Sequence, residues 1–157
     1  MGEMRDNMTL EPGKESRAET IKNEIEVLGR RAKEASRTAA KLTAEEKVRG
    51  LLSVAAELQS QTEYLLAENE KDLRMAEEKG VKASLIDRLR LNKERIAGMA
   101  EGLSQVAALD DIVGEVLEMK KRPNGLRIGK MRVPLGVVGI IYESRPNVTA
   151  DAFGLCF

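Results

Sequence analysis

Apolar residues recur at Ile21, Ile25, Leu28, Ala32, Ala35, Ala39 and Leu42, in steps of four and three that place them on one face of a helix. Alanine at three of these positions makes the stripe too narrow for a coiled-coil seam, so the pattern predicts a first helix packed on its own domain. Thr43-Ala-Glu-Glu46 reads as a capping box, in which the threonine accepts from the N–H three residues on and the glutamate reaches back. It opens a second helix with Val48, Leu51, Leu52, Ala55 and Leu58 inward. Ser60-Gln-Thr-Glu63 repeats the pattern and predicts the start of a third helix bearing Leu65, Leu66, Leu73 and Ala76, with Gly80 as a left-handed stop. Ser84 with Asp87 is expected to cap a short helix through Leu89, and Asn92 the next, which presents Ile96, Met99, Leu103 and Val106.

After Asp110-Asp111 the period changes. Those acids read as a turn, because no third ligand stands near enough for a metal site. Residues 116–122 and 126–133 flank Pro123-Asn-Gly125, a hairpin signal. Val137, Val138, Ile140, Ile141 and Tyr142 then form a short β-branched run, the pattern of a strand covered on both faces in a parallel sheet. Glu143, Ser144, Arg145 and Asn147 crowd round Pro146, a stiff polar turn, and Val148 to Phe157 is helical again. Strand, polar turn and helix define an α/β unit, and ligands of open α/β sheets bind where strands end in such turns. The buried run needs parallel neighbours and no second run of its kind exists. The chain is therefore expected to be a fragment of a longer protein, loosely packed and inactive by itself.

Composition narrows the functions available. Lysine plus arginine number 26 and aspartate plus glutamate 26, so no net field draws the chain to nucleic acid or an anionic membrane. Histidine is absent and Cys156 is the single cysteine, which removes zinc sites, Ser-His triads and disulfide frameworks; no metal is expected. Without a signal core or a long apolar run, a cytoplasmic location is expected. A Met-Gly start carries Asp6 where myristoylation wants Ser or Thr. Residues 1–17 hold few large apolar groups and a Pro12-Gly13 breaker, and are expected to be a disordered tail.

The string Arg132-Val-Pro-Leu-Gly-Val-Val-Gly-Ile-Ile-Tyr-Glu-Ser-Arg-Pro-Asn-Val-Thr149 closely resembles a segment of the gamma-glutamyl phosphate reductases, a family of the aldehyde dehydrogenase superfamily. Asp87-Arg-Leu-Arg-Leu91, Ile96 to Gly102, Val113-Gly114 and Gly125-Leu126-Arg127 fall in that family's order and spacing, so the likeness covers roughly 27–157. It implies an aldehyde dehydrogenase-like α/β fold. Residues 18–114 would be the helical part of the cofactor-binding domain, 115–134 the hairpin of the oligomerisation arm, and 135–157 the first strand-turn-helix of an incomplete Rossmann-like cofactor domain. The activity implied is NADPH-dependent reduction of L-glutamyl 5-phosphate to L-glutamate 5-semialdehyde in proline biosynthesis, by a homo-oligomer when full length. Another aldehyde or acyl dehydrogenase branch, or a non-catalytic helical interaction module, are the alternatives.

Gly136-Val-Val-Gly139 precedes and enters the apolar run, so it is not the dinucleotide fingerprint, whose glycines follow the strand. The superfamily binds its cofactor without that fingerprint. By resemblance, Ile141, Tyr142, Glu143 and Ser144 would line the nicotinamide end of NADPH; otherwise Tyr142 merely ends a buried strand. Asn147 matches the asparagine whose amide donates to the oxyanion formed when a cysteine thiolate attacks the carbonyl, a role that suits a donor unable to lose its proton. It could instead, or also, cap the following helix. Arg145 could fork onto a carboxylate or acyl phosphate, or form a structural ion pair with Glu143 or another neighbour. In the family the nucleophile comes from much later in the chain, and Cys156, in the apolar string Phe153-Gly-Leu-Cys-Phe157, is expected to be inert.

Overall fold

The computed structural model describes residues 12–143 and 145–157. It contains α1 (Pro12–Ala39), α2 (Ala44–Ser60), α3 (Thr62–Glu78), α4 (Ala83–Leu89), α5 (Lys93–Ala107), β1 (Val116–Lys121), β2 (Arg127–Met131) and α6 (Pro146–Cys156). The core is helical. Leu51 and Ala55 of α2 meet Ala100, Leu103 and Ala107 of α5, with Val48, Leu58, Val106 and Phe157 closing its margin. Small residues on α5 let α2 approach closely, and Ile96 and Leu103 lose essentially all contact with solvent.

Two glycines seat α6 on this pair. A methyl at Gly154 would lie 2.7 Å from a Leu103 methyl carbon, and one at Gly50 would lie 2.8 Å from the Phe157 ring. Phe153 and Phe157 stack at 5.1 Å, and the Phe157 ring against Gly50 fastens the C-terminal end of α6 to α2.

Several local signals act as the sequence indicates. Thr43 and Glu46 form the full capping box of α2. Gly80 takes φ +67°, and the Val81 and Gly80 N–H groups donate to the Ala76 and Glu77 carbonyls, closing α3 in a Schellman turn. Asn92 caps α5 by accepting from the Arg95 N–H at 2.7 Å. Strands β1 and β2 pair antiparallel, with a bulge between Val116 and Glu118. The Gly125 N–H donates to the Arg122 carbonyl, with Gly125 at φ +86°, and Glu115 pairs with Arg132 at 2.7 Å below the ladder.

Other expectations fail for identifiable reasons. Ser60 is the last residue of α2 and its hydroxyl donates back to the Glu57 carbonyl, so α3 begins without a side-chain cap. Ser84 lies inside α4, whose N-cap position is Lys82, while Asp87 pairs with Arg95. Helix α1 starts at Pro12, so residues 12–17 are helical where the expected tail overlaps them; residues 1–11 lie outside the described residues. Its apolar stripe is only partly covered among the described residues: Ile21, Ile25 and Leu28 are exposed, while Ala32 and Ala39 are half-buried. Val137 to Tyr142 is no strand: Ile141 is fully exposed. Its peptide groups need a neighbouring strand, and the sheet formed by the described residues contains β1 and β2 alone. No described helix is long and apolar enough to cross a membrane.

One ion pair ties α2 to the chain beyond α5. Lys47 Nζ reaches Asp111 at 2.7 Å, with the two side chains only 18% and 23% exposed. The Val113 N–H also donates to Asp111, which makes the turn expected there. The Lys47 hydrogen bond, then that of Val113, hold the Asp111 carboxyl below its ordinary range. A lowered folded-state pKa gives stability that is complete above the unfolded value, about 3.9, and lost as pH falls through the folded one. The urea midpoint of the parent chain should therefore exceed that of Asp111→Asn at neutral pH, and the gap should close on acidification. A gap independent of pH would show that the carboxylate's charge is not what stabilises. Leu103→Ala empties the centre of the core and is expected to cost about 2–5 kcal/mol in the same titration.

Candidate functional site

The polar turn ahead of α6 is where the sequence concentrates its chemistry. Arg145 occupies the N-cap position with extended backbone, Pro146 is the first helical residue, and no side chain caps the helix. Asn147 therefore stands inside the first turn and does not cap it. Its Nδ2 donates to Asp151 Oδ2 at 3.1 Å, one turn along. That bond uses one of the two amide hydrogens and fixes the plane of the group, leaving the second hydrogen for a ligand.

Asn147 and Arg145 open onto a cleft of about 360 Å³ between the start of α6 and the α4–α5 connection. Arg88, Arg90 and Arg95 line the opposite side. Arg95 is committed to structure: its guanidinium donates to the carbonyls of Asp87 and Arg90, and it pairs with the Asp87 carboxylate at 3.6 Å. Among the described residues, Arg88, Arg90 and Arg145 have no carboxylate within ion-pairing distance, so Arg145 does not take the alternative of pairing with Glu143. Arginine forks without carboxylates, facing one concavity, favour an anion there.

A buried asparagine holds this wall. Asn69 of α3 is 4% exposed. It donates to the Leu89 carbonyl at 2.9 Å and accepts from the Leu91 N–H at 2.7 Å. Both bonds grip the connector on either side of Arg90, so α3 sets where that arginine leaves the backbone. The role of Asn69 is not in the sequence reading, although a signal exists: it stands between Leu66 and Leu73 at helical spacing, a polar group in an apolar stripe.

Ile141, Tyr142 and Glu143 do not line this cleft. They form an exposed, irregular segment on its approach, tied to α6 by a 2.7 Å hydrogen bond between the Tyr142 and Thr149 hydroxyls. Ser144 lies outside the described residues. Cys156, expected to be inert in its apolar string, is exposed near the far end of α6. Among the described residues no group of three acidic, cysteine or histidine side chains could hold a metal.

No protein-family model matches the chain. Individual proteins do. The gamma-glutamyl phosphate reductase of Caldanaerobacter subterraneus subsp. tengcongensis is 58% identical over 133 residues, 85% of this chain and 32% of that protein. That of Carboxydothermus hydrogenoformans is 57% identical over 134 residues, again 85% and 32%. The crystal structure of gamma-glutamyl phosphate reductase from Thermotoga maritima superposes with a TM-score of 0.77 at 42% identity, covering 80% of this chain and 30% of that one. The Saccharomyces cerevisiae enzyme of the same name gives 0.74 at 31%, covering 79% and 32%. Helices, hairpin and the polar turn before α6 together are thus part of an aldehyde dehydrogenase-like fold. Within that fold the chain belongs to the gamma-glutamyl phosphate reductase family, and it spans about a third of the length of the curated relatives it matches.

The Asn69 clamp has a measurable consequence. Asn69→Ala strands a carbonyl and an N–H in a largely dry place, a loss expected to be about 1–3 kcal/mol, with faster hydrogen exchange at the Leu91 amide. Asn69→Leu restores the apolar stripe but not the two bonds, and should be no better. A leucine variant as stable as the parent would refute the clamp.

Proposed function

We propose that this chain is the part of a reductase that supplies the oxyanion donor and one wall of the substrate site. The reaction is NADPH-dependent reduction of L-glutamyl 5-phosphate to L-glutamate 5-semialdehyde with release of phosphate, a step of proline biosynthesis. The observation that carries this reading is 58% identity, over 85% of the chain, to a protein named for that activity. The shared cleft of Asn147 and Arg145 supports it.

Addition to an acyl phosphate puts negative charge on the carbonyl oxygen, and a neutral amide stabilises that charge without giving up a proton. Asn147 is assigned this donor role, with Asp151 holding the amide plane. Arg145 is assigned an anionic group of the substrate, for which a planar fork is suited. The attacking cysteine implied by the resemblance is not Cys156, which stands exposed away from the cleft.

The bound nicotinamide cofactor would supply hydride. Residues 141–143 suit it in donor chemistry: their peptide groups are exposed, belong to no strand, and can hydrogen-bond a carboxamide. Ile141, Tyr142, Glu143 and Ser144 are accordingly assigned to its binding, and NADPH rather than NADH is part of the proposal. Strands β1 and β2, exposed on both faces, are assigned to subunit pairing in a cytoplasmic homo-oligomer, with neither nucleic acid nor membrane as partner.

Asn147 provides the test, in the complete enzyme that contains this segment. Asn147→Ala should lower kcat by about 10²–10³, the usual loss for one oxyanion donor, with a much smaller change in substrate KM. Asn147→Asp places a negative charge where the oxyanion forms and should be no more active. Turnover restored by aspartate would sink the assignment, and an unfolding curve for each variant separates lost chemistry from lost structure.

A further inference from the structure

We infer that Arg88 and Arg90, carried to the cleft by α4 and the connector after it, form with Arg145 a subsite for an anionic group of the substrate. The inference rests on the reductase reading above and adds residues from an element remote in sequence from the α6 turn. Four arginines and two aspartates line the cleft. Both aspartates are engaged, Asp87 with Arg95 and Asp151 with Asn147. Arg95 is spent on backbone carbonyls as well. Arg88, Arg90 and Arg145 remain without a carboxylate partner among the residues lining one concavity, and repulsion between their like charges is relieved by an anion bound there.

The wall that brings Arg90 there is built for position. Asn69 anchors the residues on both sides of it from within the core, and Arg95 donates to the Arg90 carbonyl itself. An arginine on a solvated loop needs no such double anchoring. Guanidinium forks match phosphoryl and carboxylate oxygens alike, and a glutamyl phosphate carries one of each. The chemistry recognised is thus a tetrahedral or planar oxyanion group at one end of the substrate.

The complete enzyme run in reverse distinguishes the two ends. In that direction the semialdehyde, NADP⁺ and inorganic phosphate give the acyl phosphate, NADPH and a proton. In Arg88→Ala and Arg90→Ala, one KM should rise about tenfold or more, the scale of a lost charge-assisted hydrogen bond, with KM for NADP⁺ little changed and Arg90→Lys intermediate. A rise in KM for phosphate assigns the subsite to the phosphoryl end, and a rise in KM for the semialdehyde assigns it to the carboxylate end. Both unchanged within twofold, in an enzyme whose parent is active, overturns the subsite and leaves the reductase reading standing. A parent without phosphate-dependent turnover overturns the reductase reading instead. In that case thermal unfolding decides: inorganic phosphate or acetate should raise the melting temperature of the parent more than that of the Arg88→Ala, Arg90→Ala double variant, and equal shifts overturn the subsite.

Discussion

Everything near the cleft depends on how closely α6 can lie against α5. The contact at Gly154 leaves no space for even a methyl group beside Leu103, and Leu103 is itself the α5 side chain packed against α2. With Phe157 lying over Gly50, the far end of α6 has little freedom. A helix fastened at one end and close-packed along its length transmits that placement to the other end, where Arg145 and Asn147 stand. The cleft has one wall from α6 and the other from the α4–α5 connector, so its width follows from the packing of apolar groups that never touch a ligand.

Rigidity is divided between two kinds of interaction. Dispersion and burial hold α2, α5 and α6 together, and these forces have no preferred direction. The connector carrying Arg90 is too short and polar to be positioned that way. Its placement comes from the Asn69 amide and the Arg95 guanidinium, which are directional and tolerate little displacement. Asn69 contributes only because both its partners are present; with either removed, the desolvated remainder would oppose folding.

How much of this was legible in the sequence depended on the range of the interaction. Thr43-Glu46, Gly80, Asn92 and Pro123-Asn-Gly125 are contained within a few residues, and each acts as its pattern indicates. Ser60 failed because the same hydroxyl can serve the helix it ends instead of the helix it would start. The run from Val137 to Tyr142 failed differently. A β-branched sequence states a willingness to pair, but the hydrogen bonds come from another strand. The stripe on α1 is the helical counterpart, an amphipathic face whose cover no residue of the stripe can specify. At the cleft, the stiff turn singled out Arg145 and Asn147. The contribution of Arg88 and Arg90 depends on which helix packs where, and Asn147's place inside α6 depends on Arg145 taking the cap.

The hairpin and the cleft also stand at opposite extremes in how far along the chain their partners are drawn from. Strands β1 and β2 are joined by a few residues and can zip in microseconds, without waiting for the helices. The cleft cannot assemble until α5 and the whole hairpin segment have been looped back, because Arg90 precedes both and Arg145 follows them. Closing that loop costs entropy which only the α5–α6 contact repays. As the chain emerges during synthesis, the cap, the Schellman turn and the hairpin can therefore be in place while the arginines still face separate solvent. The cleft is a late product of folding, and a small loosening of α6 undoes it before any of the local structure is lost.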